Sequence, residues 1–143
     1  MSDLTADRRA ELLAVADRHE LVELAERCAI AAPRPTVVVP PEIGSVVLEV
    51  REPIAHERFH LSEVLACRAE VLVEGGHGWA LRLGDDRVAT LAAALCDAEV
   101  EAGRALATEV EALCHRTAAR LETDRAAEWA ELAPTEVTFE ELD

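Results

Sequence analysis

The chain has 143 residues, half of them hydrophobic and 30% charged, which excludes a disordered chain and suits one folded core, a single domain over 1–143. Its 29 acidic residues face 14 basic ones, all arginine, and the net charge of −15 repels polyanions and argues against nucleic acid as a primary partner. No apolar run approaches the ~20 residues of a membrane helix, and Met1-Ser2-Asp3-Leu4-Thr5 lacks the basic start and apolar stretch of a signal peptide, so a cytoplasmic location is expected.

In chain order, Thr5 is placed to cap a first helix carrying Leu12, Leu13 and Ala16 on one side. Asp17 and Glu20 have the spacing of a capping box and open a second helix, in which Leu21, Leu24, Ala25 and Cys28 recur at i, i+3, i+4 and i+7. Pro33 and Pro35 end it. The period then changes to two. Thr36 to Val39 is a β-branched run that Pro40-Pro41 should halt. Val46, Leu48 and Val50 alternate with Glu49 and Arg51; Cys67, Ala69, Val71 and Val73 with Arg68 and Glu70; Trp79, Leu81 and Leu83 with Arg82. These runs predict an antiparallel sheet of about four strands, apolar on one face and wet on the other, with Gly75-Gly76 turning between the last two.

From Asp85 the helical period returns. Val88, Leu91, Leu95, Ala98 and Ala102 form one stripe; Leu106, Val110, Leu113, Thr117 and Leu121 form another, with Gly103 between them as a break. Pro134 ends the helical region, and an acidic tail from Thr135 to Asp143 carries Val137, Phe139 and Leu142. The expected fold class is α+β, the antiparallel sheet flanked by N-terminal helices and a long C-terminal helical region.

His56-Glu57-Arg58-Phe59-His60 satisfies the zincin pattern H-E-x-x-H, whose chemistry needs both histidines on one face of a helix. Here Phe59 and Leu61 alternate with Arg58 and His60, as in a strand, where positions four apart lie ~13 Å apart. Two such histidines cannot share a zinc ion, and no metal site is expected. Gly75-Gly76-His77-Gly78 lacks the Lys-Ser/Thr of a phosphate loop and precedes a strand, which makes it a hairpin turn.

Cys28, Cys67, Cys96 and Cys114 include no C-x-x-C pair and read as buried reduced thiols. Cys114 and His115 are neighbours whose side chains point ~100° apart on a helix. With no G-x-S-x-G elbow and no acid/base pair, no catalytic residue is expected. Arg51, Arg58, Arg68 and Arg82 fall on the polar phase of the sheet. Arg58, Arg68 and Arg82 are candidates for contact with an acidic partner or an anion such as a triphosphate, against the plainer reading of a solvated face. Val137, Phe139 and Leu142 are candidates for a partner-binding tail, since a segment this short cannot fold alone and gains by burial.

Glu57-Arg58-Phe59, Leu61-Ser62-Glu63-Val64-Leu65, Cys67-Arg68-Ala69-Glu70-Val71, Gly78-Trp79, Leu83-Gly84-Asp85 and Ala93-Ala94-Leu95-Cys96-Asp97-Ala98 follow one another in an order that resembles the PhnG family. Cys67 stands where the family often has Thr, and Thr135-Glu136-Val137-Thr138-Phe139 resembles its C-terminal signature. The resemblance runs from Arg8 to Phe139 and implies a small subunit of the bacterial carbon–phosphorus lyase core complex, joined to PhnH, PhnI and PhnJ and acting with PhnL. In that setting the PhnG, PhnH, PhnI and PhnL proteins exchange the adenine of MgATP for a phosphonate, a transferase step giving ribose 1-phosphonate 5-triphosphate and adenine.

MgATP is thus a substrate of the complex, PhnI carries the nucleosidase-like activity, and the iron–sulfur cluster and S-adenosylmethionine belong to PhnJ. The resemblance therefore implies no cofactor in this chain and a non-catalytic or co-catalytic role in a hetero-oligomer, while composition and charge argue against membrane and nucleic acid as partners. The residues alone leave open an acidic adaptor unrelated to phosphonates, and a small zinc enzyme with ligands from separate elements.

Overall fold

A computed structural model describes residues 4–31 and 33–135. Thr5 Oγ1 accepts the Arg8 N–H at 3.2 Å and starts α1 (Ala6–Ala14). Asp17 Oδ1 accepts the N–H groups of Glu20 and His19, each at 3.0 Å, and starts α2 (Arg18–Ile30). The Glu20 amide is the main reason that the Asp17 carboxyl is held below its usual range. Only this half of the capping box forms. The Glu20 carboxylate is taken instead by Arg116, at 2.7 Å, which ties α2 to the last helix.

Three strands follow, β1 (Thr36–Arg51), β2 (Arg58–Val73) and β3 (Gly76–Leu83), antiparallel and in the spatial order β1-β2-β3. The expectation of about four strands is corrected to three. Pro40-Pro41 does not halt β1, because β1 is an edge strand with an outer side that needs no partner. The prolines fall between the pairs Val39↔Glu70 and Glu42↔Arg68, where two residues of β1 oppose one of β2. A bulge on an edge is where a strand tolerates proline. β2 likewise runs unbroken from Arg58, so the stretch around His60 and the stretch from Cys67 are one strand.

α3 (Arg87–Glu101) and α4 (Ala107–Leu132) complete the fold, with a short 3-10 turn at Ala133–Thr135. Asp86 Oδ1 caps α3 at the Ala89 N–H, 2.9 Å away, while Oδ2 meets Arg18. That amide, more than Arg18, lowers the Asp86 pKa. The cap's contribution is therefore full above the ordinary carboxylate range and fades as pH falls through the lowered value. α3 is the central element, packed against α1, α2, α4 and the sheet. Its burial is wider than one stripe: Ala89, Ala92, Ala93, Ala94, Leu95, Cys96 and Ala98 are all in the core, whereas Val88 is 54% exposed. Gly103, at φ +60°, ends the helix and lets the chain turn into α4, which buries Val110, Leu113, Cys114 and Thr117.

The sheet does not divide into an apolar face and a wet one. Ala69, Val71, Val73 and Ala80 face α3, but Trp79, Leu81 and Leu83 face the other way and are 45%, 37% and 71% exposed. The cause is the closeness of α3. A Cβ on Gly76 would lie 2.5 Å from Ala102 N and 2.8 Å from Ala98 O, and one on Gly78 would overlap Ala94 O and Ala98 N. Ala94, Ala98 and Ala102 recur one turn apart on α3, so helix backbone rests on strand backbone and no large side chain fits between. Gly76 and Gly78 thus serve close approach, while the hairpin loop is Glu74-Gly75, with Gly75 at φ +89°.

Buried charges stitch these elements together. Arg9 on α1 donates through Nε to Asp97 Oδ1 at 2.6 Å, both side chains less than 5% exposed, and through Nη2 to Glu101. Asp97 Oδ2 accepts the Trp79 N–H at 3.1 Å, so one carboxylate joins α1, α3 and β3. Glu99, fully buried, accepts the Leu106 N–H at 3.0 Å and pairs with Arg104, which donates to the Ala31 carbonyl. No helix among the described residues is long and apolar enough to cross a membrane.

Candidate interaction surface

β3 pairs with β2 only along Ala66–Val73, and the rest of β2 continues with β1 as a two-stranded arm. Such a ribbon is marginal in water by itself. Its side chains are largely apolar and uncovered: Val47 is 47% exposed, Leu48 39%, Phe59 45%, Leu61 58% and Leu65 51%. At the tip, the Glu52 carboxylate accepts the N–H groups of Ile54, at 2.8 Å, and Ala55, which holds its pKa down and fixes the turn. Ile54 at that tip is 90% exposed.

In the strand register Val47, Leu61 and Leu65 of the arm share the α3 side with Cys67, while the outer face of the sheet continues along the arm through Val46, Leu48 and Val64. On that outer face, within the sheet itself, Leu72, Trp79, Leu81 and Leu83 stand around a polar centre in which Glu70 takes His77 at 3.0 Å and Arg68 at 3.9 Å. Trp79 and Leu81 also wall a hollow of ≈ 330 Å³ against Asp7, Ala10, Glu11 and Ala14 of α1. Exposed apolar side chains on both the arm and the outer sheet face, with a few charges among them, are suited to a protein partner rather than to water.

The three arginines singled out from the sequence do not form one basic patch. Arg58 lies on the arm, 3.3 Å from Glu49, and ten residues of strand (~33 Å) separate it from Arg68. Arg68 is on the outer face, its guanidinium beside Glu70. Arg82 is not on a wet face at all. It shares the α3 side with Gly78 and Ala80 and donates to the Leu13 and Ala16 carbonyls, at 2.6 and 3.3 Å, closing the end of α1. Burial there lowers its pKa. The triphosphate-sized basic surface allowed by the sequence is thus not assembled by these residues. Val137, Phe139 and Leu142 lie outside the described residues.

His60 is in β2, and His56 is in the turn before it with φ +57°, so the H-E-x-x-H stretch has no helix. Among the described residues no group of three or more His, Cys, Asp or Glu side chains is placed to hold a metal ion. The four cysteines are free and buried. Burial pushes the Cys114 thiol up to about 11, leaving it protonated at neutral pH.

The residues that sequence reasoning missed are Trp79, Leu81 and Leu83, taken as core. Their signal was the interleaved small set Gly76, Gly78 and Ala80, which marks the side that a helix can touch.

No curated protein matches the sequence. Residues 6–142 do match a family described as phosphonate metabolism protein PhnG. The match spans nearly every element described above, from the start of α1 to the end of α4 and into the tail, and the chain therefore belongs to the PhnG family of phosphonate metabolism proteins.

Proposed function

We infer that the chain is a subunit of the carbon–phosphorus lyase core complex, completed by PhnH, PhnI and PhnJ and acting with PhnL in converting MgATP and a phosphonate to ribose 1-phosphonate 5-triphosphate and adenine. Its part in that transferase step is to build and hold the assembly. We read residues 1–143 as one domain, at work in the cytoplasm.

The observation that carries this reading is where the aromatic side chains stand. Phe59, Trp79 and Trp129 are 45%, 45% and 72% exposed, while the described core is Leu, Val, Ala and Cys. A core normally claims its aromatics, because each buries roughly 150–250 Å². Buried interface centres are where aromatics are otherwise enriched. Arg68 supports the same reading: with Glu70 and His77 beside it, it can offer a partner carboxylate a two-pronged contact at the middle of the apolar face.

The test is co-expression with PhnH, PhnI and PhnJ of a Leu72→Asp/Leu83→Asp variant. Recovery of the other subunits with it should fall by roughly tenfold or more, as loss of an interface centre does. Its own melting temperature should stay within a few degrees, since both side chains already face solvent. Full recovery would remove the outer sheet face from the interface.

A further inference from the structure

α4 outlives its own packing. Val110, Cys114 and Thr117 are buried, and the seam they define continues outward as Leu121, Arg125, Trp129 and Leu132, spaced four, four and three residues. From Glu122 to Leu132 every residue is exposed, with Trp129 at 72% and Leu132 at 52%. A few turns of helix without a covering surface are marginal in water. Beside this seam, apolar except for Arg125, runs an acidic ridge of Asp124, Glu128 and Glu131, again four and three apart.

We propose that this outer half of α4 is a second docking element, distinct from the sheet face, which lies in an apolar groove of a partner protein whose rim is basic where it meets Asp124, Glu128 and Glu131. The inference rests on the reading of the chain as a complex subunit and adds to it the site and the chemistry of the occupant. Charge selects that occupant. A second copy of this chain brings a net charge of −15 and the same acidic ridge, so pairing two copies along this seam sets acid against acid. An arginine- or lysine-rimmed groove supplies the opposite sign, and the seam of Leu121, Trp129 and Leu132 supplies the anchors that helix-in-groove recognition uses.

Amide hydrogen exchange over residues 121–132, in the free chain and in the complex co-purified with PhnH, PhnI and PhnJ, tests it. The expected result is fast exchange in the free chain and at least roughly a hundredfold slowing in the complex. Asp124→Lys/Glu128→Lys/Glu131→Lys should then weaken assembly by roughly tenfold or more, since like charges are placed against the rim. If the complex forms and exchange over this stretch is unchanged, the helix is free in the assembly and the proposal fails while the subunit reading stands. Protection in the purified chain alone, at a doubled mass, would make the occupant a second copy and also overturn it. Protection that survives the charge reversal without loss of affinity would overturn the basic rim. If no complex forms, both readings fall.

Discussion

Gly78→Ala is expected to lose about 3 kcal/mol or more and to lower the melting temperature by roughly 10 °C. A single methyl group has this effect because of what it meets. The added carbon would fall on Ala94 O, Ala98 N and Ala98 Cα, which are backbone atoms of a buried helix and cannot swing aside as a side chain would. Relief requires moving α3 off β3, which opens the packing of Ala80, Val71 and Ala98 along with it. Gly44→Ala is the control. Nothing lies within 4 Å of its added carbon and its φ is ordinary, so it should change stability by no more than about 0.5 kcal/mol. Equal melting temperatures for the two variants would mean that helix and strand do not touch.

Asp97→Ala is expected to cost about 3–5 kcal/mol, a large share of the 5–15 kcal/mol that holds a typical domain together. It strands the Arg9 guanidinium, 4% exposed, with only Glu101 left to it, and it orphans the Trp79 amide. The same logic makes Arg9→Met/Asp97→Leu milder than Asp97→Ala alone, because removing both partners leaves no buried charge behind. Chemical denaturation of these two variants and of the single Arg9→Met and Asp97→Leu variants measures this. A double variant as damaged as the sum of the singles would show that Arg9 and Asp97 do not act as a pair.

How far these features were legible in the sequence depended on whether the deciding contact was local. Thr5 and Asp17 cap their helices through amides two or three residues away, so spacing revealed them. Gly103 was recognisable as a break because a left-handed turn between two helical stripes is also a local matter. The number of strands was not legible, since Pro40-Pro41 stops a central strand but not the edge strand that β1 proves to be, and edge position is set by the whole sheet. The facing of Trp79, Leu81 and Leu83 was misjudged for a related reason. Hydrophobicity assigned the large residues inward, but steric space assigned Gly78 and Ala80 there, and that space exists only once Ala94, Ala98 and Ala102 arrive from a separate element. Arg82 followed the same inversion and became a cap for α1 instead of a surface charge.

The exposed apolar arm and sheet face have no cover among the described residues, and in the proposed complex other subunits supply it. Native mass spectrometry of the affinity-purified chain, co-expressed with PhnH, PhnI and PhnJ, tests this most directly. The expected result is a stoichiometric hetero-oligomer that contains the chain and survives high salt, because apolar burial rather than exposed ion pairs holds it. A mass of 15.5 kDa, with the other three proteins eluting separately, would contradict it.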